Sequence, residues 1–254
     1  MKNRIFVLKM DCFFGQIPIS LTGAVMKIIA KIKSDFSEKF GIPRQSGLVP
    51  SLKSRVVFEP AYRNPDALRG LEDFSHIWLL WEFSKSKRDT WSPTVRPPRL
   101  GGNRRMGVFA TRSPFRPNPI GLSCVKLDRI EWYSAEGPLL YISGADLLND
   151  TPIYDIKPYL PFTDSHPEAA GGFADDVCGY RLSVDCPNRL LDSIPTQHRQ
   201  AVMDILAQDP RPSYQQDAER VYGMEYAGME IRFTVNKDLL TVLEIIRKTP
   251  DKKL

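Results

Sequence analysis

Residues 107–123 read GVFATRSPFRPNPIGLS. An apolar, strand-like run, Val108-Phe109-Ala110, opens into prolines at 114, 117 and 119 and closes on Gly121. Arg112, Arg116 and Asn118 are set among those prolines. Proline fixes φ and removes an amide donor, so the segment presents its side chains and carbonyls with little conformational freedom left to lose. Strand patterns stand on both sides, HIWLLWEF before it and LSCVKLDRIEWY after it, which makes it a stiff connection within a β domain. At this point two readings are open: a preorganised binding loop on a rigid scaffold, or a compact connector whose arginines keep it solvated.

Working outward, MKIIAKIK (26–33) alternates Met26, Ile28, Ala30 and Ile32 with Lys27, Lys31 and Lys33, which predicts a half-buried strand. SRVVFEP predicts a second strand and NPDALRGLEDFS a short helix started by Asn64 and Pro65. HIWLLWEF is nearly continuous in apolar residues and predicts a strand buried on both faces. LSCVKLDRIEWY and LLYISGADLL predict two strands around the turn at Glu136-Gly137-Pro138, and the proline-rich NDTPIYDIKPYLPF follows. The expectation is a mostly β domain over 26–165, a linker at 166–185 and a small α+β domain at 186–254. In the last, Thr196 caps a helix with Ala201, Val202, Ile205 and Leu206 on one face, ended by Asp209-Pro210. Met229, Ile231, Phe233 and Val235 alternate with polar residues as a strand.

Residues 1–25 start basic and apolar, in the manner of a signal peptide. Lys9 and Asp11 interrupt the apolar core, no small-x-small cleavage site follows, and the run is too short and polar to span a membrane. They read as an extension, disordered or not translated, ahead of a start at Met26, and the expected location is cytoplasmic with no membrane partner. Across 254 residues, 42% hydrophobic and 26% charged composition is that of an ordinary globular protein. The four cysteines, Cys12, Cys124, Cys178 and Cys186, form no CxxC pair, and three histidines are too few and scattered to help, so reduced thiols and no metal site are expected.

No GxGxxG follows a strand, GNRRMGVF lacks the Lys-Ser/Thr of a phosphate loop, and neither GxSxG nor HExxH occurs. What stands out is arginine. Arg96, Arg99, Arg104, Arg105, Arg112 and Arg116 fall close together with Phe109 and Phe115 interleaved, and no acidic residue lies between Asp89 and Asp128. The net charge of +5 is modest, but this local excess survives unneutralised. Guanidinium groups take phosphates in bidentate fashion and aromatic rings stack bases, so nucleic acid becomes a candidate partner.

FGIPRQSGL, RGLEDFSHIWLLW, PTVRPPRLGGNRRMGVFATRSPFRPNPIGLS and GADLLNDTPIYDIKPYLPF together resemble the TsaA-like family, specifically its TrmO (YaeB) tRNA methyltransferases, and LAQDPRPSY resembles the small C-terminal domain of the bacterial members. The resemblance covers roughly residues 26 to 245. It implies a single-sheeted β-barrel in place of a Rossmann sheet, S-adenosyl-L-methionine as cofactor, a homodimer, and N6-methylation of N6-threonylcarbamoyladenosine beside the anticodon of threonine tRNA. Carried onto this chain, it implies a cofactor pocket drawn from Pro43, Arg44, Gln45, His76, Ile77, Arg112, Leu122, Gly144, Ala145, Asp146 and Leu147. Around it, Asp155 is expected as base or orienting group, Tyr159 packing on the substrate and Asn118 beside them. Arg104, Arg105, Arg116 and a surface Arg211 are expected to grip RNA phosphates. Left open are a same-fold methyltransferase with another RNA or small-molecule substrate, a non-catalytic RNA- or cofactor-binding module, and a structural barrel that binds no cofactor.

Overall fold

The computed structural model describes residues 26–86, 90–97, 104–212, 215 and 217–248; residues 1–25 and Arg99 lie outside them. The strands of the first unit are β1 (Ala30–Lys33), β2 (Lys53–Phe58), β3 (His76–Glu82), β4 (Thr94–Val95), β5 (Met106–Gly107), β6 (Ile120–Glu131), β7 (Leu139–Ser143) and β8 (Pro152–Pro158). Six of them close a barrel in the order β1-β2-β7-β6-β3-β8, which returns from β8 to β1, while β4 and β5 pair separately as a two-stranded ribbon. Period-two alternation aims one face of each strand inward. Ile77, Leu79 and Trp81 of β3 meet Val125 and Leu127 of β6, Leu140 and Ile142 of β7, and Ile153 of β8 in one apolar core. The long β6 is shared between β3 and β7, and a register shift between Leu127 and Arg129 lets it bend around the closure.

After a four-residue helix α1 (Pro161–Asp164) come β9 (Ser183–Asp185), α2 (Asn188–Ser193), α3 (Thr196–Ala207), β10 (Tyr222–Tyr226), β11 (Met229–Asn236) and β12 (Leu239–Arg247). The sheet order is β10-β11-β12-β9, with β9 parallel to β12. Ala201, Val202, Ile205 and Leu206 of α3 pack with Met229, Ile231, Phe233 and Val235 of β11 as their spacing predicts. The same second core takes in Phe36, Val49 and Leu52 from the β1–β2 connection, so that connection belongs to both units. No helix of the described residues is long and apolar enough to cross a membrane.

Several expectations are corrected. Val108–Ala110 is a 3-10 turn with Phe109 71% exposed, because the three apolar residues lead into the proline loop with no ladder partner of their own. Asn64 does cap by accepting from the Asp66 amide, but the segment forms two 3-10 turns, Pro65–Leu68 and Leu71–Asp73, broken at Gly70. β3 alternates between buried and half-buried residues and is not enclosed on both faces. Met26 and Ile28 are exposed, ahead of β1. Thr196 is the first helical residue, after Pro195 at the cap, and caps nothing with its side chain. The NDTPIYDIKPYLPF stretch contains β8, whose prolines sit at its first and last positions, where a missing amide does least damage to a ladder. β9 lies inside the stretch read as a linker.

Candidate active site

The β1–β2 connection, the end of β3 and the proline loop before β6 converge on a cavity of about 550 Å³. Pro43, Arg44 and Gln45 form one wall, Trp81, Glu82 and Phe83 another, and Thr111, Arg112, Pro114, Arg116 and Asn118 a third; Leu122, Asp146 and Leu148 also line it. Two of the walls have a local reason. Gly121 faces Trp81 directly across the β3–β6 ladder, and a methyl group on it would stand 2.2 Å from the Trp81 ring, so only glycine lets the indole lie there. Gly41, at φ 93°, has Met224 of β10 where a side chain would go, which seats the Pro43 wall against the C-terminal sheet. Arg44 Nη2 donates to the Arg211 carbonyl at 3.0 Å, a second tie to the same unit.

A buried polar relay runs behind the cavity: Trp81 Nε1 donates to Ser123 Oγ at 2.9 Å, and Ser123 Oγ donates to Asp146 Oδ1 at 2.6 Å. Burial pushes the Asp146 carboxyl up; the bonds from Ser123 and from backbone amides, with the Arg112 charge, oppose that without cancelling it. Arg112 in turn donates to the Gln45 side chain across the cavity, and Arg116 Nη1 donates to the Thr111 carbonyl at 3.0 Å. Beside Glu82, which lines the cavity, burial and then the bond to that carboxylate push the Tyr154 hydroxyl up to about 12. The cavity thus joins apolar walls to a held guanidinium and a desolvated carboxylate, a combination suited to an amphiphilic, partly charged ligand.

The structure brings together Pro43, Arg44, Gln45, Arg112, Leu122 and Asp146, with Asn118 and Arg116. Others lie elsewhere. His76, at the opposite end of β3, is roughly 17 Å along the strand from Trp81 by strand rise; its Nδ1 is 2.9 Å from Ser75 Oγ. Ile77, Ala145 and Leu147 are core residues. Gly144, at φ 77°, shapes the wall from behind, accepting from the Gly47 amide at 2.9 Å. Asp155 stands opposite Leu80, which stands opposite Leu122, so it lies two strand spacings, roughly 10 Å, from the cavity wall. There it pairs with Lys157 at 2.9 Å. Tyr159 packs near Trp78, ring centroids 5.8 Å apart. Arg104 and Arg105 are exposed just before β5.

Arg211 is a correction: it is buried, with Nε and Nη2 donating to the two Asp209 oxygens at 2.8 and 3.1 Å, because the chain turns back at Asp209, φ 52°, and folds the guanidinium inward. Sequence reasoning missed Glu82, Phe83, Lys39 and Lys85 on the cavity. The WEFSKS end of β3 carries a usable signal, a strand closing on mixed charge.

Two family profiles match the chain, the tRNA-methyltransferase O N-terminal domain over residues 31–165 and the TrmO C-terminal domain over 184–248. A tRNA (adenine(37)-N6)-methyltransferase of Escherichia coli K12 is 41% identical over 215 residues, 82% of this chain and 91% of that protein. A Pseudomonas aeruginosa protein named as a candidate S-adenosylmethionine-dependent methyltransferase is 40% identical over 225 residues, 85% of this chain and 95% of that protein. The crystal structure of TrmO from P. aeruginosa superposes with a TM-score of 0.72 at 33% identity, covering 90% of this chain and 99% of that one.

Proposed function

This chain belongs to the tRNA-methyltransferase O family and is a tRNA (adenine-N6)-methyltransferase; on that premise we propose that it methylates N6-threonylcarbamoyladenosine beside the anticodon of threonine tRNA, using S-adenosylmethionine, as a cytoplasmic homodimer. The observation that carries the reading is the cavity, in which a half-buried, desolvated carboxylate, a held guanidinium and apolar walls converge.

The donor set fits S-adenosylmethionine. Asp146 offers a carboxylate to a cationic centre, Arg112 offers a guanidinium to the amino-acid carboxylate, and Pro43, Leu122 and Leu148 offer apolar surface to an aromatic base. When bound, that cofactor supplies a methyl group on a sulfonium, open to in-line displacement by a nitrogen nucleophile. The chain's own work is then to position the two reactants and to receive the N6 proton. Gln45 orients Arg112. For the proton, we keep Asp155 as base or orienting group, reached by an acyl substituent extending past Leu122 over the outer face of the barrel. Unchanged turnover in Asp155→Asn eliminates that role and moves it to Glu82 or Asp146, the carboxylates on the cavity. Arg104, Arg105 and Arg116 serve as phosphate contacts; Arg211, committed to Asp209, is withdrawn from that set.

The test is nucleoside mass spectrometry of tRNA carrying threonylcarbamoyladenosine without its methyl group, incubated with protein and S-adenosylmethionine. Gain of one methyl on that nucleoside supports the proposal. Methylation of a different adenosine keeps the enzyme class and overturns the substrate.

A further inference from the structure

The β4–β5 ribbon leaves the barrel beside the cavity and carries an unusual surface. Trp91, just before β4, and Phe109, just after β5, stack with ring centroids 6.1 Å apart and planes 24° from parallel. Both residues are exposed, Trp91 by about half and Phe109 by more, at 49% and 71%. Large aromatic rings bury 150–250 Å² when they pack, so two of them stacked outside the core forgo much apolar stabilisation. The ribbon is basic as well. Val95 pairs with Met106, so Arg96 and Arg105 are the next residues outward on its two strands, followed by Arg104 on the second, and all three are exposed. No acidic residue occurs between Asp89 and Asp128.

The ribbon is not a free arm. Val108 N donates to the Pro93 carbonyl at 3.0 Å, and Ser92 N to the Phe115 carbonyl at 3.2 Å, fastening its base to the proline loop. A second hollow, about 190 Å³, lies between Trp91 and that loop, and it shares Pro114 and Arg116 with the main cavity. A stacked aromatic pair, a run of guanidinium groups and a hollow adjoining the cavity are what an unstacked, single-stranded nucleotide requires: π faces for its base and cations for its phosphates.

We propose that Trp91 and Phe109 form a stacking platform for a loop nucleotide neighbouring the target adenosine, with Arg96, Arg104 and Arg105 holding its phosphates. This rests on the tRNA reading above and names where the single-stranded loop lies. The occupant is RNA and not a protein face, because the charged side chains described on the ribbon, Arg96, Arg104 and Arg105, are all exposed cations and no acidic residue lies between Asp89 and Asp128.

The experiment measures affinity of the full-length protein for an unmodified anticodon stem-loop RNA as a function of salt, together with KM and kcat for tRNA. Stacking is sequence-tolerant and its loss costs roughly 5- to 150-fold per base. Trp91→Ala and Phe109→Ala should each weaken RNA binding within that range, raise KM more than they lower kcat, and leave cofactor affinity and the salt slope unchanged, while Trp91→Tyr restores binding. Arg105→Ala should instead flatten the slope of log K against log salt by about 0.7–0.9. Because the stem-loop lacks threonylcarbamoyladenosine, these effects are readable even where the proposed substrate is wrong. RNA affinity unchanged in both alanine variants overturns the platform, as does a shift in oligomeric state with no loss of RNA, which assigns the rings to a subunit contact. Absence of RNA binding by the parent protein overturns it too.

Discussion

Ser123 sits where two polar groups meet inside an apolar barrel. Its hydroxyl accepts from the Trp81 indole and donates to Asp146, and no water-exposed route replaces it. Removing it leaves a buried donor unmatched, at a cost of about 1–3 kcal/mol. Ser123→Ala should therefore lower the melting temperature by several degrees and weaken cofactor binding, measured by calorimetry, since the Trp81 ring forms a cavity wall. The loss has a pH signature. The folded Asp146 value lies above its unfolded one, so this carboxyl favours the fold most at acid pH, and that contribution disappears as pH rises through the raised value. Ser123 offsets the cost of the ionised form. Thermal melts should show a larger penalty for Ser123→Ala at neutral pH than in acid; an equal penalty at both would remove Asp146 from the argument.

Among elements, the β1–β2 connection does most to join the two units. Phe36, Val49 and Leu52 at its ends are buried in the C-terminal core, and Pro43-Arg44-Gln45 between them line the cavity. Phe36→Ala should cost about 3–5 kcal/mol and reduce cofactor affinity without touching the cavity itself. Chemical unfolding gives the first and calorimetry the second; full cofactor affinity in a destabilised variant would show that the wall holds itself. Elements with strict alternation were legible from the chain alone: β11 and α3 carry the buried residues their spacing names. β8 was hidden because its terminal prolines read as punctuation. The Pro43, Arg112 and Asp146 segments were legible as a set through family likeness. Lys39, Glu82 and Lys85 were not, since charged residues in loops and at strand ends look the same whether they face solvent or a cavity.

At the scale of the whole molecule, the Asp209–Arg211 pair holds the turn that follows α3, where the Arg211 carbonyl accepts from Arg44 of the β1–β2 connection. Burial would raise Asp209, but the Arg211 fork and the Tyr180 hydroxyl outweigh it and hold the carboxyl below the usual range. A lowered folded value contributes stability above the unfolded value and loses it as pH falls through the folded one. Arg211→Ala, by stranding a buried carboxylate, should cost about 3–5 kcal/mol at pH 7 and reduce the acid sensitivity of melting. Melts across pH 2–7 check both; an unaltered acid limb would show that other carboxylates set it.

The shared connection also orders events in time. Ser37 bonds Glu225, a partner 188 residues later in the chain. At roughly 5–20 residues per second, ribosomal synthesis leaves the Pro43 wall without its C-terminal support for about 10–40 s after the barrel's first strands emerge. A nascent chain halted before β10 carries every strand of the barrel but lacks the Met224 and Glu225 contacts to the connection, and should hold the methyl donor more weakly than the full chain does.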